Sequence, residues 1–583
     1  MSKFNFKKNN KIKILLILIL FLAGTFRFYG LDWDQGQHLH PDERFLTMVL
    51  TAIKIPKNFS EYLNPKISPM NPYNVSYSFF VYGTFPLYLT KVMGEIVGFR
   101  DYGNIHFVGR ILSALFDIGV VFILFKIGQK IFSEKIGLLA AFIYSIMVLP
   151  IQLSHFFAVD TFLNFFTVLS FYLLILLLTD YFPLVTAAAL GGSFGLALAC
   201  KISALLFLPI IGLGFLTSLF KTKNIKLFIL HSSFFILTTY FFFRFNQPQA
   251  FANSNFLNLT PNPQFVKNLK ELKSFDNPNT TFPPAIQWLS TKPLIFPLKN
   301  LVFWGLGLPL GIICVLGVFF SIIQLINCFV TKKSKGENFP ITNYQLLITL
   351  WVIFLFIYQG IQFTKPMRYF LPIYPFLALL SAQFLLEISN FLKKKNRFFI
   401  FIFPFSFFIF ILIYPLSFIS IYSKPITRVS ASEWIYKNVP EGSTISFEEW
   451  DDGLPLGLPN YPPGNYKTES FFMYDPDTPE KWQRLKEKLD KLDYYIITSN
   501  RAYGSIMKLP ERCPQTIAFY QSLFDGTGQF KKVAEFTSYP CFLPFGNNHW
   551  FCFNDDSADE SFTVYDHPKV LIFKKYSNEK NHY

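Results

Sequence analysis

Charged residues are scarce in this chain of 583 residues: they make up only 15% of it, whereas 51% of its residues are hydrophobic. The mean hydropathy of +0.33 reflects the same imbalance. This composition excludes a soluble multi-domain protein and is typical of a protein that crosses the membrane many times. The formal net charge of +16 does not indicate nucleic-acid binding, because the cations lie in short clusters between hydrophobic runs, as membrane topology requires.

Cysteine is also rare, with only six residues in the chain. Three lie in hydrophobic runs, and the spacing of the others is not that of a zinc site, so the sequence assigns no metal ligands. Cys513, Cys541 and Cys552 share the C-terminal part. At most one disulfide can form among these three, and Cys541 with Cys552 could close a small loop, but the sequence does not decide the pairing.

Long hydrophobic runs fill the first 420 residues, and about eleven of them are long enough to span a bilayer. The first run, 12–30, follows several lysines and lacks a small-residue cleavage site, which predicts an uncleaved span with a cytoplasmic N-terminus. Alternating the spans puts most lysine-rich connections on one face. The first outer loop, 31–106, and everything after residue 421 then lie together on the opposite, extracytoplasmic face.

The composition changes after residue 421, where short strand-like and helical patterns replace the long apolar runs. We therefore predict two domains: a multi-span membrane domain over 1–420 and a small extracytoplasmic α/β domain over 421–583, large enough for its own core. Predicted helices lie at 432–438 and 479–492, and predicted strands lie at 444–447, 494–498 and 570–573.

Two adjacent acids follow the first span in the segment His40-Pro41-Asp42-Glu43-Arg44. One interpretation is helix initiation, because proline and acids in a first turn complement the positive end of a helix. The other is catalysis, with Asp42 as a general base and Glu43 beside it. The two interpretations are compatible, and His40 is a possible accessory group.

Further polar residues lie at the predicted outer ends of later spans. Asp160 is a candidate catalytic acid or an ordinary helix cap, and Lys201 is a candidate phosphate ligand or a lysine reaching for the interface. Arg368 suits phosphate recognition through its planar fork of donors, and Lys365 lies close to it in sequence. His155 is a weaker accessory candidate, because such histidines are more often structural.

Four of these segments, in this order, resemble one family. They are the Asp42-Glu43 pair, His-Phe-Phe-Ala-Val-Asp at 155–160, Gly-Leu-Ala-Leu-Ala-Cys-Lys-Ile-Ser-Ala-Leu-Leu at 195–206, and Arg-Tyr-Phe-Leu-Pro-Ile-Tyr-Pro at 368–375. Over about residues 10–420 the chain resembles the GT-C glycosyltransferases, in the branch of the protein O-mannosyltransferases and aminoarabinose transferases. The C-terminal part does not resemble the sugar-binding trefoil repeats of eukaryotic members.

The resemblance implies a donor, a mechanism and roles for site residues. The donor would be a polyprenyl-phosphate sugar, mannose or similar, whose polyprenyl tail lies in the bilayer. Asp42 would be the base that activates an acceptor hydroxyl, Glu43 would help to place the acceptor, and Asp160 would be the second acid. Lys201 and Arg368 would stabilise the departing phosphate, and the anomeric carbon would be inverted.

Some features stay open at the level of sequence. The acceptor is a protein, a lipid or a polysaccharide, and a divalent cation on the phosphate is possible although the resemblance does not require it. The enzyme would be a multi-pass plasma-membrane protein. The alternative is a polytopic lipid or sugar transporter or flippase, but such proteins usually show repeats and polar groups at the bilayer midplane, which this sequence lacks.

Overall fold

The computed structural model describes residues 2–179, 183–279, 282–334, 344–395, 399–542 and 551–576. It is mostly helical, with one small sheet near the C-terminus. The predicted fold class, a helical membrane protein with a C-terminal α/β part, is therefore confirmed.

The first part of the chain contains four helices that precede or occupy the loop at 31–106. They are α1 (Ser2–Phe28), α2 (Pro41–Ala52), α3 (Phe59–Leu63) and α4 (Thr84–Val97). Thirteen more follow before the C-terminal part: α5 (Ile105–Ile131), α6 (Glu134–Ser145), α7 (Val148–Ser154), α8 (Val159–Thr179), α9 (Pro183–Cys200), α10 (Leu208–Thr222), α11 (Ile225–Asn246), α12 (Pro263–Ser274), α13 (Ile295–Asn300), α14 (Leu308–Ser334), α15 (Tyr344–Ile361), α16 (Tyr374–Lys395) and α17 (Phe399–Ile419).

Short helical turns connect several of these helices. A π-helical turn forms at Leu301–Gly305, and 3₁₀ turns form at Pro72–Val75, Ile202–Phe207, Pro248–Ala250, Pro283–Trp288, Met367–Ile373 and Ser420–Ser423. The turns Ile202–Phe207 and Met367–Ile373 position two of the predicted site residues, because Lys201 immediately precedes the first and Arg368 lies in the second.

Nine helical segments in the described ranges are long and apolar enough to cross a membrane, and the bent pair α6–α7 would make a tenth. The sequence predicted about eleven spans; the predicted first span, α1, is 27 residues long and is not among these candidates. Its Arg27 is fully buried and pairs with Asp117 of α5 at 2.6 Å. Tyr144 of α6 donates a hydrogen bond to the same carboxylate at 2.5 Å. The pairing fits the rule that charged groups among membrane helices find partners, and it holds α1 against its neighbours.

The C-terminal region, residues 421–576, builds a five-stranded mixed sheet in the order β2-β1-β3-β7-β4, beside a two-stranded ribbon of β5 and β6. Its strands are β1 (Thr444–Glu448), β2 (Lys467–Phe471), β3 (Tyr494–Ile497), β4 (Phe530–Phe536), β5 (Cys541–Phe542), β6 (Phe551–Cys552) and β7 (Val570–Lys575). Its helices are α18 (Thr427–Asn438), α19 (Pro479–Lys491), α20 (Arg501–Ile506), α21 (Pro514–Phe524) and α22 (Glu560–Thr563).

Local sequence explains much of this region. Thr478 caps α19 by accepting a hydrogen bond from the Lys481 amide, and Pro479 fills the first turn. Trp482, Leu485 and Leu489 recur at helical spacing and are buried against the sheet. A disulfide joins Cys541 to Cys552 across the β5–β6 pair. This is the pairing that the sequence left possible, and Cys513 remains a buried thiol.

The C-terminal region is fastened to the membrane helices by a buried polar cluster. Gln152 of α7 donates hydrogen bonds to Asp566 at 3.0 and 3.2 Å, and Tyr422 donates to the same carboxylate at 2.8 Å. His567 lies between Asp566 and Asp555, at 2.5 and 3.0 Å. The two carboxylates outweigh the effect of burial and raise the pKa of His567 to about 10, so the ring is a cation at neutral pH.

Candidate active site

Asp42 lies in the first turn of α2, where the local sequence fixes its position. Pro41 is the first helical residue, and Nδ1 of His40 accepts a hydrogen bond from the Glu43 amide at 3.3 Å. The predicted helix start is thus confirmed. The helix directs the two neighbouring carboxylates into different surroundings. The Glu43 side chain is fully buried, whereas the Asp42 side chain keeps 17% of its surface exposed.

The carboxylate of Asp42 is paired with a cation from a distant part of the chain. Arg368 donates a hydrogen bond to it and forms an ion pair, and Tyr82 is a further hydrogen-bond partner. Burial raises the pKa of Asp42, but the charge of Arg368 more than offsets this and holds the pKa at about 2. Asp42 is therefore an ionised carboxylate at neutral pH.

A second ion pair lies beside the first. Nζ of Lys201 approaches a carboxylate oxygen of Asp160 at 2.9 Å. The same ammonium group lies 4.4 Å from the centre of the Tyr369 ring, next to Arg368 in sequence. Asp160 also interacts electrostatically with Arg368. Four of the predicted residues are thus brought together as two adjacent ion pairs.

Glu43 serves a different structural purpose from Asp42. Arg110 grips its two carboxylate oxygens at distances of 2.5 to 3.2 Å, and the Phe157 amide donates to it at 2.8 Å. Arg110 also pairs with Asp34 at 2.9 Å, with all three side chains fully buried. Glu43 therefore joins the first loop to α5 and to the segment before α8.

His40 and His155 differ in how close they lie to the ion pairs. His40 is buried between Phe156 at 4.5 Å and Tyr565 at 4.4 Å, measured between ring centres. Burial lowers its pKa to about 4, so it is neutral at pH 7. His155 stacks on Tyr422 at 4.0 Å. Its ring nitrogens contact the carbonyl oxygens of Ile151 in α7 and of Tyr29, just after α1, which gives it a packing role.

Lys365 is not brought to the ion pairs by its contacts. Its Nζ donates to the carbonyl oxygens of Gln362 and Phe363, at 3.2 and 2.9 Å, within its own loop. The ammonium group also lies 5.8 Å from a Trp288 ring. The predicted phosphate role of Lys365 therefore stays a prediction that its surroundings do not support.

Three aromatic residues of the site were not predicted from the sequence: Tyr82, Tyr369 and Tyr565. Tyr82 follows an aromatic run in the first loop, and Tyr565 comes from the C-terminal region 523 positions after Asp42. A single sequence carries no signal for such distant contacts. Tyr369 could have been found, because it directly follows Arg368 in the motif used for the resemblance.

The donor atoms of the site do not form a metal site. The carboxylates of Asp42 and Asp160 each pair with a cationic side chain. Throughout the ranges that the structure describes, no group of three or more His, Cys, Asp or Glu side chains is arranged to hold a metal ion.

Residues 85–243 match the family model described as dolichyl-phosphate-mannose-protein mannosyltransferase. The matched segment contains Asp160 and Lys201, whereas Asp42 and Arg368 lie outside it. No curated protein sequence matches the chain.

Solved structures are similar to the chain over most of its length. The Archaeoglobus fulgidus oligosaccharyltransferase, tethered with an acceptor peptide containing the NVT sequon, is 13% identical, with 98% of this chain and 89% of that chain covered and a TM-score of 0.53. ArnT from Cupriavidus metallidurans bound to undecaprenyl phosphate is 14% identical, with 72% of each chain covered and a TM-score of 0.41. The likeness to the oligosaccharyltransferase shows that the chain has the GT-C fold. Residues 85–243 are thus similar to a mannosyltransferase family, and the chain as a whole has the fold of the GT-C glycosyltransferases.

Proposed function

We propose that the enzyme transfers a sugar, mannose or a similar hexose, from a polyprenyl-phosphate donor to an acceptor hydroxyl, with inversion of the anomeric carbon. The proposed roles are those of a general base for Asp42 and of phosphate ligands for Arg368 and Lys201. Asp160 would orient Lys201. The observation that carries the proposal is the pairing of both carboxylates with both cations within one partly exposed site.

The chemistry needs one base and a way to stabilise a leaving phosphate. The acceptor oxygen attacks the anomeric carbon from the face opposite the phosphate, its proton moves to Asp42, and the bond from the anomeric carbon to the phosphate oxygen breaks. The polyprenyl phosphate leaves with the bonding electrons. Cations placed next to the departing oxygen lower the energy of that charge separation, which is the usual source of a large rate effect.

The two ion pairs are well suited to receive an anion. The site has two positive and two negative side chains, so its cations stay in place without a substrate. A donor phosphate would compete for Arg368, and the carboxylate released from that pair would become a stronger base. Burial, which acts to raise the pKa of Asp42, would then no longer be opposed by the full charge of Arg368.

The buried contacts around the ion pairs suggest supporting roles. Glu43, held by Arg110, would position the start of α2 and so the carboxylate of Asp42. His40 would position Tyr565 at the site through the contact between their rings. We further propose that residues 1–420 form the membrane domain of a plasma-membrane protein with a cytoplasmic N-terminus, and that residues 421–583 form an extracytoplasmic domain. The acceptor would be a protein, lipid or polysaccharide on that side.

The test uses membranes that contain the full-length enzyme and a radiolabelled polyprenyl-phosphate mannose. We expect label to move to an endogenous acceptor, and we expect Asp42→Asn and Arg368→Ala to abolish the transfer. Asp475→Asn is a matched control, because it removes a carboxylate that pairs with an arginine, Arg484, within the C-terminal region. Equal transfer by Asp42→Asn and wild type would rule out the proposed base.

A further inference from the structure

Asp559, in the C-terminal region, contacts the short helix that carries Arg368. Its side chain is almost fully buried, and its Oδ2 accepts a hydrogen bond from the Met367 amide at 2.9 Å. Met367 is the first residue of the 3₁₀ turn Met367–Ile373, and the residue before it, Pro366, provides no side-chain cap. The carboxylate therefore caps this turn from a position 192 residues away in sequence.

The same carboxylate begins a second short helix. Asp559 is the N-cap of α22 and accepts hydrogen bonds from the amide and the hydroxyl of Ser561, at 3.3 and 3.0 Å. Tyr565, whose ring packs against that of His40, lies two residues beyond the end of α22. The Asp559 side chain thus caps two segments: the 3₁₀ turn that contains Arg368, and α22, which Tyr565 follows.

A third element fixes Asp559 itself. Its backbone amide donates a hydrogen bond to the side-chain oxygen of Asn300, at the end of α13, at 2.7 Å. Burial raises the pKa of Asp559 to about 6, so the carboxylate is still mainly ionised at pH 7. A negative charge at the start of a helical turn is favourable, because the free amides there carry partial positive charge.

We propose that Asp559 is a positioning residue for donor binding, which acts by holding Arg368 at the depth and orientation needed to bind the donor phosphate. This inference rests on the proposed function. It assigns to the C-terminal region a part in donor binding as well as any part it has in binding the acceptor.

The experiment measures binding of undecaprenyl phosphate to the purified full-length enzyme in lipid nanodiscs. Loss of a capping side chain is worth about 1 kcal/mol, which corresponds to about a fivefold change in affinity. We therefore expect Asp559→Ala to weaken binding about fivefold. Asp559→Asn, which keeps a hydrogen-bond acceptor, should restore part of the loss. At saturating donor the turnover rate should change less than the donor KM.

A double-mutant cycle separates positioning from general destabilisation. If Asp559 acts through Arg368, then Asp559→Ala should have no further effect on binding in an Arg368→Ala background. Thr478→Ala is the matched control, because it removes a comparable cap from α19, within the C-terminal region and away from the Arg368 turn, and it should leave binding unchanged.

The outcomes distinguish failure of this inference from failure of the proposed function. Unchanged affinity in Asp559→Ala, or an equal loss in the presence and absence of Arg368, would overturn the positioning role while wild type still bound and transferred. Failure of wild type to bind undecaprenyl phosphate or to transfer sugar would instead overturn the proposed function on which it rests.

Discussion

Arg368 and Asp42 lie 326 positions apart in the chain and form an ion pair at the centre of the candidate site. The proposed phosphate ligand and the proposed base are therefore each other's partners when no donor is bound. Donor binding would exchange a carboxylate for a phosphate on Arg368. The free enzyme would keep its base weak, and the base would gain strength only after the donor had bound.

The first prediction concerns the loss of the Asp42 charge. Asp42→Asn should lower the transfer rate by about 10² to 10⁴, the usual contribution of a general base. It should also tighten binding of polyprenyl phosphate, because Arg368 would no longer have a competing carboxylate. Rates from the transfer assay and affinities from a binding titration test both parts. Weaker binding by Asp42→Asn would contradict the competition between carboxylate and phosphate.

The second prediction concerns pH. With a pKa of about 2 in the free enzyme, Asp42 is already ionised above about pH 4, so kcat/KM should show no acid limb from this group there. In Arg368→Gln the largest influence that opposes the effect of burial on the Asp42 pKa is removed, and the acid limb of the residual activity should move to higher pH. Lys365→Gln is the control, since the Lys365 ammonium donates hydrogen bonds within its own loop and lies near Trp288 and Asp276 rather than at the two ion pairs, and its profile should follow that of wild type.

The stability of the fold should follow the same pKa. A carboxylate whose pKa is lower in the folded than in the unfolded state stabilises the fold above its unfolded pKa, and this contribution is lost as the pH falls toward the folded value. For Asp42 that window lies between about pH 4 and pH 2. In Arg368→Gln the contribution should be absent or reversed, which thermal unfolding across that range would show.

The sequence predicted the central residues of the site better than their surroundings. Asp160, Lys201 and Arg368 each lie at an end of a hydrophobic run and Asp42 follows the first run, and a polar side chain at such a place is visible in one sequence. Their resemblance to one family added the order of the motifs. The strands at 444–447, 494–498 and 570–573 were also found, because their apolar residues are dense and local.

The rest depends on contacts between distant segments, which local patterns do not encode. Glu43 and Asp42 are adjacent and chemically alike. Only the fold shows that Glu43 forms an ion pair with Arg110, whereas Asp42 forms one with Arg368. Tyr565 and Asp559 reach the site from the C-terminal region, whose sequence gave no indication of docking there. β2 and β4 were missed because their exposed, charged faces weaken the alternation that predicts a strand.

The third prediction separates Glu43 from the chemistry. Glu43→Ala would leave Arg110 buried with Asp34 as its one remaining acidic partner, and removing one member of such a buried pair costs about 3 to 5 kcal/mol. The Tm in nanodiscs should fall clearly. Glu433→Ala breaks an ion pair with Lys437 in which both side chains are exposed, and it should cost less than about 1 kcal/mol. A raised acceptor KM in Glu43→Gln without any loss of Tm would instead indicate direct contact with the acceptor.

The fourth prediction concerns the cluster that fastens the C-terminal region. The pKa of His567 is raised to about 10 by Asp566 and Asp555, so its contribution to stability is complete below its unfolded pKa of about 6.5 and is lost as the pH rises through 10. The Tm of wild type should therefore fall between pH 6.5 and 10. His567→Gln should be less stable at neutral pH by about 3 kcal/mol, and this part of the pH dependence should disappear. An unchanged alkaline profile in His567→Gln would show that another group is responsible.

The fifth prediction tests the close approach that brings the two ion pairs together. The Gly83 amide donates a hydrogen bond to the carbonyl oxygen of Cys200 at 3.0 Å, directly between Tyr82 on the Asp42 side and Lys201 on the other. A Cβ atom at position 83 would lie 2.0 Å from the carbonyl oxygen of Ala199, a backbone atom that cannot move aside alone. Gly83→Ala should therefore separate the first loop from the end of α9, and a displacement of about 1 Å in such a site can lower the rate about a hundredfold.

Gly212→Ala in α10, where no atom lies within 4 Å of the added Cβ, is the matched control and should retain activity. If Gly83→Ala transferred sugar at the wild-type rate, the two ion pairs would not need this contact to act together.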